Sequence, residues 1–271
     1  MTHTLTIVGI GNHSMDDLPL GVYRFLKQQQ SVYARTLEHP VIKDLKSDIE
    51  FKSFDDVYEK YDQFEAVYQH IVETLIEETR IQDTVYVVPG HPRVAETTTA
   101  KLLDYNKNND DIHVKILGGK SFIDDIFVAI DEDPNDGFTL LDGTILKENT
   151  LNIRTHTLIT QVYSAMIAAD VKLTLMECYP DDFKVKIVTD ANSHGAKVLE
   201  VPLFELDHNE DMFNNLTSVF VPKITRDEDM YTDFDFAVYI IDHLVDDEKG
   251  CPWDRVQTHE SLKRYLLEET F

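Results

Sequence analysis

Three short loops carry the residues best suited to hold a ligand. Gly9-Ile10-Gly11, Pro89-Gly90-His91-Pro92 and Gly118-Gly119-Lys120-Ser121-Phe122 each follow a run of β-branched and apolar residues. Glycine where a strand turns into a helix lets a ligand approach the backbone and use its amides. Two prolines around Gly90-His91 stiffen the second loop. In the third, the glycine pair frees the backbone and Ser121 can cap the following helix. Each loop alone is also an ordinary turn. Three of them at strand carboxyl ends, where open α/β sheets bind ligands, point to one shared cleft. The chemistry expected is grip by backbone groups. The dinucleotide fingerprint GxGxxG is not met, because its third glycine position holds Ser14.

Other reactive patterns fall short. Asp131-x-Asp133-x-Asn135 begins like a calcium-binding loop, but position six is Asp136 and position twelve is Asp142, so it reads as a solvated turn. The 11 histidines include no HExxH, and neither a GxSxG nor a Cys/His nucleophile pair is present. Glu268 and Glu269 are adjacent on a helix and point about 100° apart, so they make at most an incomplete Mg²⁺ site. No catalytic side chain is assigned and no metal is expected.

The elements that must position the loops alternate. Strands are predicted at residues 4–10, 31–35, 84–88 and 113–117, and helices at 18–29, 55–79, 94–105 and 121–130. Such alternation implies crossovers and a largely parallel sheet, an α/β fold. Beyond an acidic, Pro- and Gly-containing boundary near 131–142 comes a strand at 157–162 and a helix at 163–177. Strands at 184–189, 197–202 and 218–221 follow at close spacing, as in a mixed or antiparallel sheet. Residues 225–233 are a polar linker. Residues 234–245 and a last segment capped by Thr258 form a short helical tail that ends mid-helix at Phe271, as in a piece of a longer protein.

Composition narrows the partners. The 271 residues carry 25 basic and 50 acidic side chains, a formal charge of −25, which disfavours nucleic acid and anionic membranes. Two cysteines and the lack of a basic, cleavable leader fit a cytoplasmic protein.

Taken together, Ile7-Val-Gly-Ile-Gly11 with Leu18-Pro-Leu-Gly-Val-Tyr23, Val85-Tyr-Val-Val-Pro-Gly-His-Pro92 with Val94-Ala-Glu96, Ser121-Phe-Ile-Asp124, Gln161-Val-Tyr163 and Asp170-Val-Lys-Leu-Thr-Leu-Met-Glu177 resemble the tetrapyrrole (corrin/porphyrin) methylase family, specifically its YabN-like branch. The tail, Gly250-Cys-Pro-Trp-Asp254 with Gln257-Thr-His-Glu-Ser-Leu262 and Leu266-Leu-Glu-Glu269, is similar to the opening of a MazG nucleotide pyrophosphohydrolase domain. The resemblance implies a two-subdomain class III methyltransferase fold over 1–224, a linker at 225–233 and a truncated MazG-like start at 234–271. It implies a homodimer with S-adenosylmethionine between the subdomains. Matching loops imply cofactor contacts from Ile10, Gly11, Gly90, His91, Val94, Ser121, Phe122 and Gln161, and more loosely from Ala191 and Thr217. Where the family usually has Gly-Asp-Pro, this chain has Gly90-His91-Pro92. The implied function is methyl transfer to a small-molecule acceptor, in the N-terminal part of a bifunctional methylase and nucleoside triphosphate pyrophosphohydrolase. The alternative is a non-catalytic ligand-binding module that regulates the attached hydrolase. A charge of −25 repels polycarboxylate tetrapyrroles at long range, which leaves the acceptor open. Pyrophosphohydrolase activity is not expected from this chain.

Overall fold

In the computed structural model, every residue is described except Met1, Asp62, Ser193, Tyr231 and Phe271. The chain divides into two units, Met1–Asp133 with Asp190–Val198, and Pro134–Thr189 with Leu199–Phe271.

The first unit runs β1 (His3–Gly9), α1 (Leu20–Leu26), β2 (Ser31–Ala34), α2 (Pro40–Leu45), β3 (Glu50–Ser53), α3 (Asp55–Lys60), α4 (Phe64–Ile81), β4 (Thr84–Val88), α5 (Thr97–Asn108), β5 (Ile112–Leu117) and α6 (Phe122–Ile130). Its strands form one parallel sheet in the order β3-β2-β4-β1-β5. Strand alternation sends side chains to both faces. Leu5, Ile7, Tyr86 and Val88 pack with Ile71 and Leu75 of α4 and Leu102 of α5. Val8, Val85 and Val87 pack on the other face with Val22 and Leu26 of α1 and Val41 and Leu45 of α2. Burying each such aliphatic side chain contributes roughly 1.5–3 kcal/mol.

This layering fixes where a site can form. The chain leaves β1 into α1 on one face, and leaves the neighbouring β4 into α5 on the other. Connections that depart in opposite directions open a crevice beyond the carboxyl ends of the two strands. The loops after β1 and β4 are those carrying Gly11 and Gly90.

The second unit holds β6 (Phe138–Asp142), β7 (His156–Thr160), α7 (Ala165–Met176) and β10 (Ser218–Val221). Between α7 and β10 run β8 (Lys184–Asn192) and β9 (Gly195–Pro202). The sheet order is β6-β7-β10-β8-β9, with β6 parallel to β7 and β10 antiparallel to both β7 and β8. One face, with Ile159, Ile187, Val219 and Val221, buries Val171 and Leu175 of α7. The tail forms α8 (Phe234–Leu244) and α9 (His259–Thr270). Asp233 caps α8 by accepting from the Phe236 amide, and also pairs with Arg154 at 3.2 Å. Thr258 caps α9 through the Ser261 amide.

Several sequence expectations need correction. The helix expected over 55–79, a range that includes Asp62 outside the described residues, is two helices, because Tyr61 and Gln63 are extended. Apolar periodicity reports which face is buried and is blind to a break, since α3 and α4 lean on the same side of the sheet. Helix α5 starts at Thr97, three residues later than expected, because Val94 and Ala95 turn, Ala95 with φ +52°. Strands β3 and β6 were not anticipated. β3 is an edge strand of four residues with Glu50 and Lys52 exposed, so it lacks an apolar signature. β6 lies inside the acidic stretch read as a boundary. Asp131, in the calcium-loop lookalike, ends α6 in the left-handed conformation, φ +58°.

Candidate functional site

The three loops meet in the first unit. Gly11 and Gly90 exchange backbone hydrogen bonds: the Gly90 amide donates to the Gly11 carbonyl at 2.6 Å and the Gly11 amide to the Gly90 carbonyl at 3.3 Å. Both have positive φ, +74° and +67°, which glycine adopts at little steric cost. The third loop closes on this pair. A Cβ on Gly9 would lie 2.5 Å from the Gly90 oxygen and 2.7 Å from the Gly119 nitrogen. A Cβ on Gly119 would lie 2.6 Å from both the Gly9 and the Gly90 carbonyl oxygens. The glycines therefore serve first to let three backbones interlock. Gly118 is exposed beside this knot, and a Cβ there would meet the His91 Nε2 at 3.1 Å.

Side chains then hold the knot. The His91 Nδ1 accepts from the Arg93 amide at 3.1 Å, so a neutral His91 carries its proton on Nε2, toward Gly118. The Val94 amide closes the same turn onto the His91 carbonyl. Buried His39 bonds the Gly11 carbonyl through Nε2 at 3.1 Å, and its Nδ1 has no partner. Burial lowers the His39 pKa, with nearby His13 adding to the fall and the Gly11 bond opposing it. Neutral His39 therefore donates from Nε2. Ser121 makes a full capping box: its hydroxyl accepts from the Ile123 amide and its own amide donates to Asp124. Beyond β2, the Arg35 amide donates to the Val87 carbonyl and its guanidinium pairs with Glu96 at 2.9 Å. Burial raises the Glu96 carboxyl pKa even though Arg35 opposes it.

Of the residues singled out from sequence, Ile10, Gly11, Gly90, His91, Val94, Ser121 and Phe122 all lie on these loops. Ile10 is buried beneath them, its amide bonded to the Val88 carbonyl. Ala191 follows Asp190, which has φ +56°, in the hairpin segment grouped with this unit. In that segment the His194 ring stands edge-on to His13 at 5.2 Å. Gln161 and Thr217 come together in the second unit, where the Val162 amide donates to the Thr217 carbonyl. Gln161 is exposed with φ +63°, a strained conformation for a residue with a side chain. The Thr217 hydroxyl is fully engaged with Met212, Thr189 and Asn214, so it fastens a turn.

Sequence reasoning gave no role to the side chains of His39, Asn12, Asp17, Lys120 and Asp125. Lys120 bonds both Asp17, at 3.2 Å, and Asp125, while the Asn12 amide donates to Asp125 at 3.2 Å. Asp17 is 103 residues from Lys120, and no local spacing announces such a pair. Among the described residues, no group of three His, Cys, Asp or Glu side chains is placed to hold a metal ion.

Comparison with known proteins gives these loops a setting. Over 272 residues the chain is 45% identical to an uncharacterised protein of Bacillus subtilis (strain 168), YabN. The match takes in all of this chain and spans about half, 55%, of that protein. Its fold is similar to that of uroporphyrin-III C-methyltransferase from Thermus thermophilus, with a TM-score of 0.61 at 18% identity, covering 82% of this chain and 93% of that one. It is similar also to diphthine synthase, with a TM-score of 0.61 at 15% identity, covering 87% and 95%. The family model for tetrapyrrole (corrin/porphyrin) methylases matches residues 4–207. An α/β chain of two sheets, with this match over three quarters of its length, belongs to the tetrapyrrole (corrin/porphyrin) methylase family of S-adenosylmethionine-dependent methyltransferases.

Proposed function

We propose that this chain transfers a methyl group from S-adenosylmethionine to a small-molecule acceptor, and that the knot of three glycine loops is the platform for the cofactor. The observation that carries this reading is the convergence of Gly9–Gly11, Gly90–His91 and Gly118–Phe122 at the crevice beyond β1 and β4, in a chain of this family. The residues present fit the group. Backbone is open at Gly118, and His91 Nε2 beside it offers a donor. Two buried carboxylates, Asp17 and Asp125, face the single ammonium of Lys120, a local balance that suits a cationic ligand.

When bound, S-adenosylmethionine supplies an electrophilic methyl group: the acceptor's lone pair bonds to the methyl carbon as the carbon–sulfur bond breaks and its electron pair returns to sulfur. The protein's part in such an in-line displacement is positioning, which can be worth several orders of magnitude in rate. Here the positioning falls to rigid backbone. Gly11 and Gly90 lock the two central loops, His39 braces Gly11, and the Ser121 box fixes the start of α6.

The acceptor is left open by the fold, since proteins that share it include a uroporphyrin methylase and diphthine synthase. We further propose that the chain works as a homodimer and as part of a longer protein whose remainder is a MazG-type nucleotide pyrophosphohydrolase. The tail motif and the 55% span of YabN support the second point. Calorimetry on the purified chain tests the central reading. S-adenosylmethionine and S-adenosylhomocysteine should both bind, with or without a chelator, and failure of both to bind overturns it. Binding without turnover across a panel of acceptors favours the regulatory-module alternative. Pyrophosphate release from nucleoside triphosphates and Mg²⁺ should be absent from this chain and present in a version extended beyond Phe271.

A further inference from the structure

The cluster around Lys120 has a geometry that the loop backbones alone do not require. Asp17 ends the turn after the first loop, Lys120 sits in the third loop, and Asp125 lies one turn into α6. Both carboxylates are almost wholly buried, with side chains 3% exposed, while the Lys120 side chain is 28% exposed. The ammonium touches both, and Asp125 passes the link on to Asn12 of the first loop. The Asn12 Oδ1 in turn stands 3.1 Å from where a Cβ on Gly90 would be, so Asn12 lies beside the second loop. One Asp17 oxygen has no hydrogen-bond partner. Burial pulls the Lys120 pKa down, but its bonds to Asp125 and Asp17 outweigh that and leave it raised, so the ammonium stays charged.

We propose that Lys120 is the positioning residue of this site: by bridging Asp17 and Asp125 it sets the spacing of the first and third glycine loops, and so the shape of the ligand platform. The physical reason is charge. With Lys120 present the buried set is two carboxylates and one ammonium. Without it, two carboxylates share a dry space and repel, and the only relief is for one to take up a proton or for the loops to part. Backbone contacts between Gly9 and Gly119 leave no slack, so a parting of the loops at Lys120 is felt directly at the platform.

The inference rests on the reading of the loops as the cofactor platform, and the test separates the two. Binding of S-adenosylhomocysteine is measured for the whole chain by calorimetry, and amide hydrogen exchange is followed in residues 9–12 and 118–121. In Lys120→Met, affinity should fall by about ten-fold or more and exchange in both loops should quicken, as expected when a buried charge loses its partner. The decisive variant is Lys120→Met with Asp17→Asn, which removes one of the two repelling carboxylates. It should recover affinity to within about three-fold of the wild type, a coupling expected only of groups in one network. Loss of packing alone predicts the opposite, since a second deletion from the cluster would weaken binding further. Wild-type affinity in Lys120→Met, or a double variant no better than the single one, overturns the proposal. If the wild type binds no S-adenosylhomocysteine, the cofactor reading fails and hydrogen exchange alone decides whether Lys120 clamps the loops. If Lys120→Met does not fold, a folded double variant supports the clamp and an unfolded one overturns it.

Discussion

The two units hold their implied ligand residues by different means. In the first, three loops are locked backbone to backbone, and the glycines at 9 and 119 leave no space for a methyl group. In the second, Thr217 is held by the side-chain hydrogen bonds of its hydroxyl, and exposed Gln161 stands at a positive φ. A backbone lock tolerates almost no substitution, because relief requires moving a main chain. A side-chain lock can be loosened one bond at a time. The difference teaches that the first unit's loops are closed by main-chain packing, whereas the second unit's turn depends on one hydroxyl.

The largest expected effect breaks the platform. Gly119→Ala places a methyl group against two carbonyl oxygens, so either the β1 loop or the third loop must shift. A loss of about 3 kcal/mol or more, with loss of S-adenosylhomocysteine binding, is the outcome expected for forced backbone movement. Urea unfolding and calorimetry measure both. A fully stable, ligand-binding variant would show that the loops have slack and erase the contrast with the second unit.

Thr217→Val comes next. It keeps the shape but takes away the hydroxyl bonded to buried Thr189, at a cost of about 1–2 kcal/mol for a buried polar group that loses its partner. The damage should stay in the second unit, visible as faster hydrogen exchange near residues 212–219 with unchanged exchange at residues 9–11.

His39 probes the brace beneath the platform and gives it a pH dependence. Its pKa is lowered in the folded chain, chiefly by burial, so the unfolded chain takes up the proton first as pH falls. Between the folded value and the ordinary value of 6.5, the unfolded state binds more protons and stability rises with pH. The contribution is intact above pH 6.5 and is lost as acid charges the unfolded chain. His39→Ala should cost about 1 kcal/mol at pH 8, one buried hydrogen bond, and should flatten the acid decline. Unfolding midpoints at several pH values decide it, and an equally steep decline in the variant would assign the pH dependence elsewhere.

The smallest effect sharpens the comparison. Gln161→Gly relieves a left-handed residue, worth about 1–2 kcal/mol, less the flexibility cost of glycine, for a net gain of roughly 0.5–1 kcal/mol. If the Gln161 side chain serves the ligand, stability should rise while S-adenosylhomocysteine affinity falls. A variant that gains stability without losing affinity would place the strain outside the binding function.

How much of this was legible follows from what each feature depends on. The strands around Leu5 and Ile7 and around Val85 and Val87 were readable because a central parallel strand, buried on both faces, is rich in β-branched and apolar residues. The loop positions were readable because Gly11 and Gly90 need positive φ and sit where strands end. Ser121 was readable because a cap is a local bond. The break between α3 and α4 and the edge strand β3 were not, since neither leaves a mark in apolar periodicity.

The sequence by itself therefore determined the α/β class, the three glycine loops and the family, all of which depend on residues close together along the chain. Only the tertiary structure decided that Gly9, Gly90 and Gly119 touch one another, that His39 braces Gly11, and that Lys120 joins Asp17 to Asp125. Those contacts join residues that are far apart in sequence. Strand order in the sheet brings them together, and that order is set by which faces the crossovers bury, a property of the packed unit as a whole.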